Sequence, residues 1–239
     1  MLIFILQLKH ITCFMLDVIQ DITNLVFPKI CPGCKKPLLK TEEFICLHCL
    51  SNLPERLTIK SKELEQRFYG RLKLAEAHAF LLFKRKGITQ NLLHAIKYNG
   101  DKKLGVELGK LFGKRCRELN LLSTVDVIIP IPLHTSKLRL RGFNQSALIG
   151  KGLAESLDVF LDEKAVIRRV NTTTQTKKNR MERWKNVDQT FKVVSSNLKS
   201  KHVLLVDDVI TTGATLESCG QVILNAGATK ISIACLALA

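Results

Sequence analysis

An α/β fold built on a parallel sheet is what this chain predicts, and three observations carry the prediction. Short apolar runs at Val125–Ile131, Val203–Val206 and Ile231–Leu238 have the length and character of strands buried on both faces. The stretches between them place apolar residues at helical spacing, so strand, helix, strand, helix and strand follow in order. Four of the eight cysteines are gathered between residues 31 and 49, which sets a small metal-bound ribbon apart from the sheet. With 239 residues the chain is long enough for one or two domains, and 46% hydrophobic residues exclude disorder.

Residues 1–26 read as an amino-terminal extension followed by a short helix, with Leu16, Ile19, Ile22 and Val26 at helical spacing and a stop at Pro28. Met15 is expected as the native start, because residues 1–14 add little to that pattern. Lys9 and His10 interrupt the longest uncharged apolar run, far short of the ~20 residues that span a bilayer. A basic start and a small-residue cleavage site are also missing, so no membrane span is expected and the cytoplasm is the default compartment.

Residues 27–54 are expected to form a four-cysteine zinc ribbon. Cys31-Pro-Gly-Cys34 and Cys46-Leu-His-Cys49 are two C-x2-C knuckles separated by eleven residues. Zinc takes four soft ligands in a tetrahedron, and each tight turn offers two thiolates to one ion. Four protein ligands leave no open position for water, so Cys31, Cys34, Cys46 and Cys49 point to a structural Zn2+, with His48 outside the ligand set. Cys13, Cys116, Cys219 and Cys235 lie among apolar neighbours and read as small buried hydrophobes.

Residues 55–124 read as a connector and a small α/β layer. The charged stretch Glu55–Arg71 is expected as a linker or an exposed helix, and Ala77–Phe83 as a strand. Thr89 would cap a helix carrying Leu92, Leu93 and Ile96 that ends near Asn99-Gly100. A second helix sets Leu104, Leu108, Leu111 and Leu119 opposite Lys and Arg side chains.

Residues 125–239 hold the principal domain. After the Val125–Ile131 strand comes a basic loop, and Asn144 caps a helix bearing Ile149, Leu153 and Leu157. The segment Val203-Leu-Leu-Val-Asp207-Asp208-Val-Ile-Thr211-Thr212-Gly213-Ala214-Thr215 joins an apolar strand, two carboxylates and a hydroxyl-rich turn opening a helix. Backbone N–H groups at a helix start cradle an anion, Gly213 permits its close approach, and the threonines add donors. Adjacent acids at the strand end can accept from vicinal sugar hydroxyls or hold hydrated Mg2+, so a phosphorylated ribose fits both halves. A helix-capping role for the acids is the structural alternative. Lys and Arg exceed Asp and Glu by 37 to 21, a net +16 that attracts phosphorylated ligands and nucleic acid alike. Gly109-Lys-Leu-Phe-Gly113-Lys114 has the wrong spacing for a P-loop, no G-x-G-x-x-G follows a strand, and His78, His94, His134 and His202 lack a nucleophile motif.

The Val203–Thr215 segment resembles the 5-phosphoribosyl 1-pyrophosphate (PRPP) motif of type I phosphoribosyltransferases. Ile129-Pro-Ile-Pro-Leu-His134, then Arg139-Leu-Arg141-Gly142-Phe143-Asn144-Gln145, and Leu93-His-Ala-Ile-Lys97-Tyr98-Asn-Gly100-Asp101, resemble the signature of the ComF family of competence proteins, as does the order of parts from Met15 to Ala239. The stretch Asn171 to Arg183 departs from it in lacking small residues after Gln175. The resemblance implies a type I phosphoribosyltransferase-like parallel sheet flanked by helices. It assigns Asp207 and Asp208 to ribose hydroxyls or Mg2+, and Thr211, Thr212, Gly213, Ala214 and Thr215 to the 5-phosphate. Arg139 and Arg141 fall to the pyrophosphate; Lys177, Lys178, Arg180 and Arg183 lie in a segment that would close over PRPP, Arg180 and Arg183 joining the two acids as the catalytic set. The family further implies uptake of single-stranded DNA in natural transformation, beside a competence helicase and a recombinase-loading protein, with Trp184 and Phe143 as base platforms or, for Phe143, a core residue. A metabolic phosphoribosyltransferase, in nucleobase salvage or amidophosphoribosyl transfer, is the alternative.

Overall fold

The computed structural model describes residues 27–57, 62–169 and 190–239. Two compact units emerge, Met1–Asn52 and Leu53–Ala239. The amino-terminal extension, Cys13 and Met15 lie outside the described residues.

In the first unit the chain doubles back between Lys29 and Leu38, where Leu38 N donates to Lys29 O and Cys31 N to Lys36 O, with Lys35 in the left-handed region. Cys46 then opens helix α1, Leu47–Ser51, and its sulfur accepts from Cys49 N. Each turn therefore presents its two cysteines together.

The second unit is a five-stranded, all-parallel sheet in the order β1-β7-β6-β2-β3. Its strands are β1 (Glu76–Leu82), β2 (Val127–Pro130), β3 (Phe160–Leu161), β6 (His202–Ile210) and β7 (Lys230–Leu238). A separate antiparallel pair joins β4 (Val166–Arg168) to β5 (Phe191–Val193). The helices are α2 (Lys62–Gln66), α3 (Ile88–Tyr98), α4 (Lys102–Glu118), α5 (Thr135–Arg141), α6 (Gln145–Leu157) and α7 (Ala214–Asn225). Among the described residues none is long and apolar enough to cross a membrane.

Burial explains the order. Val203, Leu205, Ile231 and Ile233 join Leu216, Cys219 and Ile223 of α7 in one buried cluster. Phe80 of β1 stacks on Phe112 of α4 at 5.3 Å between ring centroids. Helices α4 and α6 meet backbone to backbone, since a Cβ on Gly109 would lie 2.3 Å from Ile149 O and one on Gly152 would lie 2.0 Å from Val106 O. The glycines of the failed P-loop spacing are thus packing residues. Cys116, Cys219 and Cys235 are fully buried as expected of small hydrophobes, and burial pushes the Cys116 thiol up to about 12.

Several elements differ from the sequence expectation. The strand expected to stop at Val206 continues to Ile210, because β7 supplies partners that far, Asp207 opposite Cys235 and Ile210 opposite Leu238. Helix α3 is capped by Gly87; Thr89 lies inside it and donates instead to Leu82 O at 2.8 Å. The expected basic loop holds helix α5, capped by His134 and ended by Gly142 at φ 74°. Within the charged connector, α2 is exposed at Glu63, Glu65 and Gln66 but sends Leu64 into the main core, where Phe68 follows it. Residue 125, expected to open a separate domain, marks no break, since β1 pairs with β7 in one sheet.

Candidate functional site

The four cysteines come together. Their sulfurs all lie within 4.8 Å of one another, with Cys34 Sγ and Cys46 Sγ 3.6 Å apart. Four sulfurs ~2.3 Å from a tetrahedral zinc would stand about 3.8 Å apart, so the set has the size such an ion needs. Burial raises the Cys31 thiol, yet N–H groups of Cys46, Cys34 and Gly33 outweigh it and bring the thiol down to about 7. These donors favour a thiolate. His48 is exposed and its ring lies 3.5 Å from Asn52 Nδ2, outside the sulfur set as expected.

The second cluster stands at the carboxyl end of β6. Successive strand residues face opposite sides, and different elements meet the two acids. Asp207 Oδ1 accepts from Ser146 Oγ of α6 at 3.0 Å and from Asp208 N at 2.8 Å. Asp208 Oδ2 lies 2.8 Å from Lys97 Nζ, the last-turn lysine of α3. Burial and then the Asp208 charge push the Asp207 carboxyl up to about 7, against the Asp208 N–H, Ser146 and Lys97. A carboxyl poised there takes up or releases a proton near neutrality.

Beyond the acids, Thr211 and Thr212 are exposed and Gly213 turns the chain at φ 78° into α7. Gly213, at the N-cap, brings no side chain to that helix's first N–H groups. Thr212 Oγ1 accepts from Ala214 N at 3.4 Å. The turn's carbonyls are taken from behind: Arg67 donates to Thr211 O at 2.8 Å, and Arg71 to Thr212 O at 3.2 Å and Glu217 Oε2 at 2.8 Å. Phe68 floors the turn, its ring 2.6 Å from where a Gly213 Cβ would stand. Holding carbonyls inward leaves a polar concavity lined by Asp207, the threonines and Ala214, suited to a small anion beside a hydroxylated group.

Of the residues that sequence reasoning grouped, Asp207 and Thr211–Thr215 line one concavity, and Asp208 pairs with Lys97. Arg139 is exposed on α5. Arg141 donates to Gln145 Oε1 at 2.9 Å and lies 5.5 Å over the Tyr98 ring, each contact one residue from a partner of the acids. Phe143 is half-buried with Lys102 Nζ 5.4 Å over its ring. Lys177, Lys178, Arg180, Arg183 and Trp184 lie outside the described residues. Of the histidines that lack a nucleophile motif, His202 is buried between Thr124 and Ser232, His78 pairs with Glu76, His134 caps α5 and His94 lies against Tyr98. The sequence missed Lys97, Ser146, Arg67, Phe68 and Arg71 as site residues. Lys97 and Ser146 did carry a signal, the first inside K-Y-x-G-D and the second directly after R-G-F-N-Q.

Residues 144–239 match the phosphoribosyl transferase domain. The chain is 31% identical over 148 residues to the DNA utilization protein YhgH of Shigella flexneri, covering 61% of this chain and 65% of that one. Competence protein F of Haemophilus influenzae is 35% identical over 122 residues, 50% of this chain and 52% of its own. Competence protein ComFC of Bacillus subtilis is 26% identical over 206 residues, 83% of this chain and 79% of its own. The match thus spans slightly less than two thirds of the YhgH length.

Proposed function

We propose that this chain, which matches the phosphoribosyl transferase domain over residues 144–239 and is similar to competence proteins F and ComFC and to YhgH, acts in uptake and use of single-stranded DNA through a PRPP-binding site at the end of β6. The observation that carries the reading is the union of the Asp207-Asp208 pair with the glycine turn into α7. The acids face the ribose hydroxyls or water of a bound Mg2+, and residues 211–215 hold the 5-phosphate. Mg2+ supplies charge neutralisation for the pyrophosphate. Arg139 and Arg141 stand on the pyrophosphate side. The cysteine cluster holds a structural Zn2+, its four thiolates saturating the ion and leaving it no open position. In this reading the protein works in the cytoplasm, where the +16 charge and basic surfaces track a phosphate backbone beside a helicase and a recombinase-loading protein.

The test is ligand-linked stability. PRPP with Mg2+ at a hundred times its Kd stabilises the fold by about 2.7 kcal/mol, a rise of roughly 5–11 °C for a unit of this size. Asp207→Asn with Asp208→Asn abolishes the rise and leaves zinc content intact. Single-stranded DNA binding weakens with salt, with a log–log slope near −0.7 per neutralised phosphate. An equal shift in wild type and double variant removes the acids from the ribose role. Normal transformation in a deletion strain, together with robust nucleobase turnover in vitro, replaces the competence reading with a salvage enzyme.

A further inference from the structure

The K-Y-x-G-D segment is a corner between two helices. Asn99 ends α3, Gly100 turns the chain at φ 69°, and Asp101 opens α4 by accepting from Leu104 N at 2.9 Å. Leu92, Leu93 and Ile96 anchor α3 in the core, and α4 locks onto α6 through the Gly109 and Gly152 contact. The corner is therefore fixed relative to the start of α6, which carries Ser146. Lys97, on its last helical turn, projects 2.8 Å from Asp208 Oδ2, with both side chains about four-fifths buried.

The two acids are held by different groups. Ser146 and the Asp208 N–H engage Oδ1 of Asp207, while Lys97 engages Oδ2 of Asp208. Each carboxylate thus has one oxygen engaged, which fixes its direction. Lys97 also brings a positive charge to a pair of adjacent acids, without which two like charges would repel across neighbouring strand positions. A lysine this short of water and this close to its partner is not a solvated surface charge.

We propose that Lys97 is a positioning residue of the PRPP site: through Asp208 Oδ2 it holds the Asp208 carboxylate in place and aims its second oxygen at the ribose hydroxyls or at water on Mg2+. This rests on the reading of the site as a PRPP site and adds to it a residue 111 positions away from Asp208. Lys97 contacts the acid and not the phosphate turn, so its effect is confined to the ribose and metal end of the ligand.

That confinement gives the test. Calorimetric titration of the full chain with PRPP and Mg2+, and separately with inorganic phosphate, is carried out on wild type, Lys97→Met and Lys97→Arg. Lys97→Met is expected to bind PRPP with Mg2+ about tenfold or more weakly, while inorganic phosphate binds within about twofold of wild type. Lys97→Arg, which keeps the charge, restores most of the PRPP affinity. Phosphate binding doubles as the folding control, and Lys97→Gln takes the place of Lys97→Met if the latter does not fold. Unchanged PRPP affinity in Lys97→Met overturns the proposal. Tighter binding there also overturns it, because Lys97 would then be a cation competing with Mg2+. Parallel loss of phosphate binding, or failure of Lys97→Arg to rescue, reduces the residue to a structural role. Failure of wild type to bind PRPP defeats the site reading itself, and the wild-type arm alone reports that outcome.

Discussion

Gly213→Ala is the sharpest single perturbation of the phosphate turn. The residue sits at φ 78°, and an L side chain in the left-handed region costs about 1–2 kcal/mol. A Cβ there stands 2.6 Å from Phe68 Cζ and 2.8 Å from Cε1, well inside van der Waals contact. Phe68 is fully buried, so the ring can retreat only by displacing core, which costs a further 1–3 kcal/mol in round figures. Together these predict a loss of about 2–5 kcal/mol, or roughly 4–20 °C in melting temperature for a unit of this size. Thermal melts of wild type, Gly213→Ala, Phe68→Leu and the double variant form a cycle that separates the two terms. Phe68→Leu should recover the steric part and leave the backbone part, giving a coupling of at least ~1 kcal/mol. Additive losses would show that Phe68 does not floor the turn and would refute the packing argument.

Two further outcomes are expected. Cys34→Ser removes one of four sulfurs within 4.8 Å of one another, so measured zinc content should fall below the wild-type stoichiometry and the first unit should lose stability; unchanged zinc content contradicts a four-thiolate site. Asp207 titrates near 7 in the fold and near 3.8 when unfolded, so the folded state binds its proton more tightly and stability falls as pH rises between about 4 and 7. Asp207→Asn should abolish that part of the decline: the variant gains on wild type as pH goes from 4 to 8, read from melting temperatures at each pH, and parallel curves would place the titration elsewhere.

What the sequence revealed follows from how local each signal was. The acids and the threonine turn are contiguous, so one stretch of chain discloses both halves of the site, and the cysteine knuckles disclose themselves by spacing. The strand bearing the acids was cut short because aspartate is a poor strand former, and only pairing with Cys235 and Ala237 of β7 extends it. Leu64, Phe68 and Leu72 recur every four residues, a helical spacing that the surrounding charges hid. The short helix after β2 had His134 before it and Gly142 behind it, yet its many basic residues read as loop. Arg67 and Ser146 act on groups 144 and 61 positions away, and no periodicity connects residues at such separations.

The edge strand β1 and the helix corner that follows it bear on how this protein can be divided. A fragment beginning at residue 144 would retain every residue of the phosphoribosyl transferase match, including both acids and the whole turn. It would lack β1, baring the flank of β7 as an open template for pairing with other chains. It would also lack Phe68 beneath Gly213, Arg67 and Arg71 behind the carbonyls, and Lys97 beside Asp208. Such a piece would carry the recognisable motif without the groups that give it a shape, so cloning, truncation or recombination of this domain has to begin upstream of residue 62.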